Sequence, residues 1–494
     1  MKQNSKYQDQ AEAGNLTRQL MAMGKALDQY LKFEHPDAIL TAPEWKAKLE
    51  SSLPDKGIGI DQLVGEINQY LIPNGAQIPY AGCTAYITTG ATSAGVLATL
   101  AGTVAAPQRF SLTAFNYLEE LSLDWMAELF DLPEGMKGLY SSGGSVANLV
   151  ALGAARQQAF EKLGIDPAQD GINKKAIIFA TDASHHTIHR AAAVLGLGRK
   201  AIITIEADSS GRMLIDSLIE QLDTHLQDDV VPVAIVANAG VTSTGAVDPL
   251  REIGELARKH SIWFHVDGAY GLPGVLDPSV KQLFDGLELI DSVIVDPHKW
   301  LGAPVGIGAT FVRDRSLLNR AFSQGASDYL EGSITDEVAE HSMDHFGIPY
   351  FDLGVELSAP SRGAVVWAIL REIGREGMQK RIVRHIGMAR WLADEVRQHP
   401  NLELLLEPTL SICCFRFVSD DIEDLNEFNR KVYRSVVRKG LCIPSTAMVD
   451  DAFAIRPCFI GARTTMQHAE ELLADVLEFG QLHLSELSRG DIIK

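Results

Sequence analysis

The sequence predicts an α/β protein: a mostly parallel central sheet with helices on both faces, preceded by a helical segment and followed by an α+β unit. Three observations carry this. From about residue 140 to residue 312, short apolar runs alternate with amphipathic ones in the rhythm of strand, helix, strand. Runs such as Val233–Asn238 (VAIVAN) are apolar without alternation, as strands buried on both faces are. The first seventy and the last 130 or so residues keep a different rhythm.

Taken in order, Leu16–Leu31 and Ile60–Leu71 place apolar residues three and four apart, the spacing of amphipathic helices. They are too thin to bury a core alone and read as a clasp on something else. Between Glu66 and Arg109 no residue is charged, but the run is rich in Gly, Ala and Thr and is broken by Pro73 and Pro79. Ala91–Ala106 therefore reads as a small-residue helix buried against other protein rather than a membrane span. A helix is expected at Val146–Phe160. Strands are expected at Ala176–Thr181, Ala201–Ile205, Val231–Ala237, Ile262–Val266, Ser292–Val295 and Gly306–Val312. Helices are expected between them at His185–Leu195, Ile215–Leu226 and Leu250–Lys259. Arg313–Gly354 is polar, with Gly, Ser and Asp and no long period, and reads as either a functional lid or a disordered stretch. Helices Ala364–Glu376, Met388–Gln398, Leu425–Lys439 and His468–Leu477, with strands Leu402–Leu405, Ile412–Phe417 and Phe453–Pro457, form the C-terminal unit. The division is 1–78 for the helical segment, 79–365 for the large domain and 366–494 for the small one.

Composition narrows the function. With 46% hydrophobic and 22% charged residues, the 494-residue chain is neither disordered nor fibrous. Its 44 basic against 64 acidic residues give −20, which repels nucleic acid and anionic membranes and argues against both as partners. Five cysteines without a CxxC pair suit reduced thiols in the cytoplasm, and the polar N-terminus lacks the pattern of a signal peptide.

Four features carry chemistry. Tyr140–Ser145 (YSSGGS) opens into a helix, so glycines and free helix N–H groups together offer a phosphate cradle. Asp267 ends a buried strand, where ligands of parallel sheets sit. Lys299 follows another strand beside His298 in DPHKW, a setting in which a lysine can be desolvated and form a Schiff base. His185 and His189 in SHHTIHR stand one helical turn apart, but no third ligand accompanies them and no metal is expected. Cradle, carboxylate, lysine and flat histidine together describe a site for pyridoxal 5'-phosphate, with the carboxylate on the pyridine nitrogen making the ring an electron sink.

These residues resemble those of the group II pyridoxal-phosphate-dependent amino acid decarboxylases, the aromatic amino acid and glutamate decarboxylase family. The resemblance runs from about Ile60 to Gly480. It rests on DPHKWLGAP, HVDGAYG, GGSVAN, SHHTIHRA and FAIRPCFIGARTT. It implies a fold type I enzyme, a homodimer, that removes the α-carboxylate of an L-amino acid. It implies that Lys299 carries the cofactor, Asp267 binds its ring nitrogen, His185 stacks on one ring face and Ala269 packs on the other. Gly144, Ser145 and Asn148 would hold the phosphate, His298 would sit beside phosphate and lysine, and Thr242 near the cofactor oxygen or substrate. Tyr86 and Arg456 would face the substrate.

The family's proton donor is a loop tyrosine in a Tyr-Leu pair about thirty residues after the lysine, which Tyr329-Leu330 matches, with Tyr350 as the rival. Two further functions compete. In this family an oxygen-using aldehyde synthase is expected where the loop tyrosine is phenylalanine, and Tyr329 argues against it. A non-catalytic homologue that merely binds the cofactor is disfavoured by Lys299, Asp267 and His185. The substrate is not legible: Gly82–Tyr86 (GCTAY) is less aromatic than the corresponding stretch of aromatic decarboxylases.

Overall fold

The computed structural model describes residues 16–33, 45, 47, 49, 53–109, 113–227, 229–323 and 348–488. Twelve strands are formed among them: β1 Cys83–Thr84, β2 Lys137–Ser141, β3 Lys175–Thr181, β4 Ile202–Ile205, β5 Val230–Asn238, β6 Trp263–Asp267, β7 Ser292–Val295, β8 Gly308–Val312, β9 Leu402–Leu406, β10 Cys414–Phe417, β11 Ile443–Val449 and β12 Ala452–Arg456.

Seven strands make the large sheet in the order β2-β8-β7-β6-β5-β3-β4. The β7-β6-β5-β3-β4 pairs are all parallel, and β8 runs antiparallel to both β7 and β2. Strand β2 thus points the same way as the parallel strands. The C-terminal ends of β2, β7, β6, β5 and β3 all lie on one edge, which gathers the four chemical features in one crevice. The core strands are apolar on both faces because helices cover both; Val233–Ala237, Phe264 and Val293–Val295 are fully buried.

Five strands form the second sheet, in the order β1-β11-β12-β10-β9, over a separate core that includes Leu392, Phe415, Phe417, Val432, Ile455 and Leu472. Strand β1 pairs with β11 in parallel register, so residues 83–84, placed by sequence in the large domain, belong to the C-terminal sheet.

Most elements fall where the periodicities put them, with several differences: strand β1 and the helix Ala114–Leu129 stand where no element was expected, and the helix Arg315–Phe322 corrects the start of the stretch read as a loop. Strands β2 and β11 are additional: KGLYS is short and holds a glycine, and IPSTAMV is interrupted by proline and polar residues, so neither reads as a strand alone. The two helices expected at 364–376 and 388–398 form one run, Gly363–Gln398, interrupted at Gly374 (φ 66°, ψ −179°), a backbone conformation that favours glycine. The helix Ser93–Ala105 buries only Gly95 and Gly102; Leu97 is 65% exposed, with Val96 and Val104 also open, so within this chain it is not the buried helix expected. The last helix extends over Met466–Ser488.

All five cysteines are free thiols, four of them buried. Among the described residues, no helix is long and apolar enough to cross a membrane, and no three His, Cys, Asp or Glu side chains gather as metal ligands.

Candidate active site

A cavity of about 280 Å³ opens at the shared strand edge. Across it the order follows the sheet: the glycine turn after β2, Lys299 after β7, Asp267 at the end of β6, Asn238 ending β5 and His185 after β3. Gly144, Ser145, Asn148, Thr242, Ala269 and His298 line it as well.

The glycine turn is shaped by close approach. Gly143 adopts φ 115° and opens the helix Gly144–Glu161 with no side-chain cap, leaving first-turn N–H groups for a ligand. A Cβ on Gly143 would stand 3.4 Å from His298 Cε1, and one on Gly144 would stand 2.7 Å from Asp296 Oδ2. Gly143 is favoured by its positive φ, and Gly144 is needed because Asp296 presses on its backbone.

The 296–299 turn holds the basic side chains. Lys299 Nζ lies 3.3 Å from Asp296 Oδ2. His298 Nδ1 donates to the Ile307 carbonyl at 2.7 Å, which leaves Nε2 towards the cavity, 3.9 Å from the same Asp296 oxygen. Asp296 is buried, and its Oδ1 has no hydrogen-bond partner among the described residues. Sequence reading gave Asp296 no role, although it stands three residues before the lysine.

Asp267 is held from two sides: Ala269 N–H donates to Oδ1 at 3.1 Å and Asn148 Nδ2–H to Oδ2 at 3.0 Å. Asn148 also donates to Thr187 Oγ1 at 3.1 Å and accepts from His265 Nε2 at 2.9 Å. Its amide is fully engaged at the Asp267 end of the cavity. The phosphate role expected of Asn148 is therefore corrected: it is a partner of the carboxylate. Helix geometry explains this, since Asn148 follows Gly144 by one turn and faces the sheet.

His185 lines the cavity with Nδ1 turned to Thr187, whose hydroxyl lies at 3.0 Å and whose backbone N–H donates at 3.4 Å. Burial lowers its pKa; Asp267 opposes this, while His186 and Lys299 add to it. Neutral His185 carries its proton on Nε2, away from Thr187.

Arg456 is buried, and all its nitrogens are committed. Nε donates to the Ser243 carbonyl at 3.2 Å, Nη1 to the Tyr86 carbonyl at 2.9 Å and Ser445 Oγ at 3.0 Å, and Nη2 to the Thr242 carbonyl. It fastens two loops together with four of its five N–H donors, and it borders the adjoining space rather than the first cavity, which weighs against its expected role on a substrate carboxylate. Tyr86, exposed and at φ 61°, lies outside the first cavity. It lines an adjoining space of about 860 Å³ with Tyr433, Val437, Ile443 and Arg456, and Thr242 borders both.

Tyr329 lies outside the described residues. Its rival Tyr350 is buried in a short 3₁₀ turn and donates to Glu120 Oε2 at 2.6 Å, beneath Arg315. It does not line the cavity, so it is set aside as the proton donor.

The residues fit pyridoxal phosphate on their own chemistry: an uncapped glycine-opened helix for a phosphate, a lysine for an aldehyde, and a buried carboxylate for a pyridine nitrogen. They define a pyridoxal-phosphate enzyme of fold type I. Residues 43–418 match the family described as the pyridoxal-dependent decarboxylase conserved domain, and the chain belongs to that family. It is 27% identical over 435 residues to an aromatic-L-amino-acid decarboxylase of Bacillus atrophaeus, covering 87% of each chain. It is 28% identical over 437 residues to a phenylacetaldehyde synthase of Arabidopsis thaliana, covering 86% of each. The solved structure of Oryza sativa TDC with PLP and tryptamine shares the fold at a TM-score of 0.84, with 22% identity over 95% of this chain and 99% of that one. The protein is a pyridoxal-phosphate-dependent amino acid decarboxylase.

Proposed function

We propose that this decarboxylase turns an L-amino acid into its amine through Lys299, Asp267, His185 and Tyr329. When bound, pyridoxal phosphate supplies an electron sink for the bond to the leaving carboxylate. Lys299 anchors the cofactor aldehyde and gives way to the substrate amine. Gly144 and Ser145 receive the phosphate at the helix N-terminus, with His298 alongside. Asp267 accepts from the pyridinium, a charge-assisted hydrogen bond roughly twice as strong as a neutral one. His185 would cover one ring face and Ala269 the other. Tyr329 then delivers a proton to the α-carbon, which a phenylalanine there could not do. That favours the amine over the aldehyde as product.

The observation that carries this reading is the meeting of Lys299, Asp267 and the Gly143–Ser145 turn in one cavity. A second copy of the chain completes the enzyme as a homodimer. Support for this comes from Val305, which lines the cavity yet is 74% exposed, and from the open apolar face of Ser93–Ala105. The free thiols and acidic balance suit a cytoplasmic enzyme.

A screen of the L-amino acids for carbon dioxide and amine, with pyridoxal phosphate present, tests the reading. Equal amounts of both from at least one amino acid support it. Aldehyde, ammonia and peroxide instead of amine would make it an aldehyde synthase, and no release from any would make it a binding protein.

A further inference from the structure

We infer that Trp263, Ser292, His265 and Asn148 form a one-directional hydrogen-bond relay that presents Asp267 to the cofactor nitrogen as an acceptor and fixes the tautomer of His185. The inference rests on the cofactor site described above and extends it to Trp263, Ser292 and His265, which do not line the cavity.

Trp263, His265 and Asp267 alternate along β6 and so share one face of the sheet. Ser292 is the register partner of His265 on β7, and Asn148 comes down on this face from the helix Gly144–Glu161. Trp263, Ser292, His265 and Asn148 are all at most 3% exposed. Trp263 Nε1–H donates to Ser292 Oγ at 2.7 Å, and Ser292 Oγ lies 2.8 Å from His265 Nδ1. His265 Nε2 lies 2.9 Å from Asn148 Oδ1, and Asn148 Nδ2 reaches both Asp267 and Thr187.

The direction is fixed from both ends. Indole N–H can only donate, and an ionised carboxylate can only accept. The Asn148 atom 3.0 Å from Asp267 is therefore its NH₂, its oxygen faces His265, and His265 Nε2 must carry the proton. A neutral His265 then has a bare Nδ1, which takes the single proton of Ser292, which in turn accepts from Trp263. Burial lowers the His265 pKa to about 4, with Asp267 and the Ser292 backbone opposing it, so the ring is neutral at pH 7. The reverse direction would set Asn148 oxygen against the Asp267 carboxylate and leave the Ser292 proton without an acceptor. The relay also branches: Thr187 accepts from Asn148, so its own proton goes to His185 Nδ1.

Glutamine and asparagine at position 265 separate this role from packing. Glutamine carries an amide near the Nε2 position and can donate to Asn148; asparagine reaches only the Nδ1 position. The whole chain is loaded with [¹⁵N]pyridoxal phosphate, and the cofactor dissociation constant and the ring-nitrogen ¹⁵N shift are measured. His265→Asn is expected to weaken binding about tenfold, the cost of a buried hydrogen-bond partner lost, and to move the signal towards unprotonated pyridine. His265→Gln is expected to stay within about twofold, with the signal in place. Parental affinity and an unmoved signal in His265→Asn would overturn the relay, as would equal losses in both variants. If His265→Asn does not fold, Ser292→Ala takes its place. Loss of the proton that Ser292 gives to His265 Nδ1 weakens the polarisation passed on through Nε2–H, so the signal should move the same way, and an unmoved signal there overturns the relay. A parent chain that takes up no pyridoxal phosphate overturns the cofactor site itself, and the relay with it.

Discussion

Lys299 Nζ is held 3.3 Å from Asp296 Oδ2, while the other Asp296 oxygen is buried beside the glycine turn without a partner among the described residues. The lysine that must meet an aldehyde is paired with a carboxylate, and that carboxylate borders the cradle meant for a phosphate. Asp296→Asn removes the counter-ion and one negative charge near the cradle. Cofactor capture, followed by growth of the visible band after rapid mixing, should speed up by as much as about tenfold, since charges this close and secluded interact strongly. Slower capture would show that Asp296 positions Lys299 rather than detaining it.

Tyr329→Phe should leave cofactor binding unchanged and slow amine formation by about a hundred- to ten-thousandfold, the usual worth of a general acid. Carbon dioxide should still appear, because loss of the carboxylate precedes the proton step. The unprotonated α-carbon then reacts with dissolved oxygen and water, giving aldehyde, ammonia and peroxide. Amine formation at the parental rate would remove Tyr329 from the mechanism.

Arg456→Lys should lower stability by about 2 kcal/mol, because a single ammonium cannot serve the carbonyls of Tyr86, Thr242 and Ser243 together. Urea unfolding measures this. The ratio of kcat/KM between acidic and neutral amino acids should not change. A selective rise in KM for acidic substrates would restore Arg456 as a substrate ligand.

His265 predicts a pH dependence. Its folded pKa of about 4 lies below the ordinary 6.5, so between those values the unfolded chain binds more protons. Its stabilising contribution is complete above about pH 6.5 and is lost as pH falls towards 4, about 3 kcal/mol in all. Glu119 and Asp248, raised by burial to about 7 and about 6, act with the opposite sign. The measurement is therefore the difference between parent and His265→Gln, which should shrink steadily from pH 7 to pH 4. A constant difference would mean that His265 titrates normally.

The fold and half of the site were legible because they rest on local pattern. Asp267 and Lys299 stand where an apolar strand stops, and a strand end in a parallel sheet is an address; Gly143 shows instead as a Gly-Gly turn opening a helix. What was not legible depends on where chemistry from distant parts of the chain arrives. Arg456 is spent on carbonyls 213 and 370 residues away, and no spacing announces that. Asn148 needed the register of β6 against its helix. His265 could have been found: two residues before Asp267 on a strand, it shares that carboxylate's face. Strand β11 was hidden because its partners, β12 and the two-residue β1, supply what its own mixed sequence lacks.

The central claim, that Lys299 carries the cofactor in this cavity, is tested most directly by borohydride reduction of the pyridoxal-phosphate-loaded protein followed by peptide mass mapping. Reduction should fix one phosphopyridoxyl group per chain, on the peptide containing Lys299, with none fixed in Lys299→Ala. A label on another lysine, or no label on Lys299 in protein that releases carbon dioxide, would contradict it.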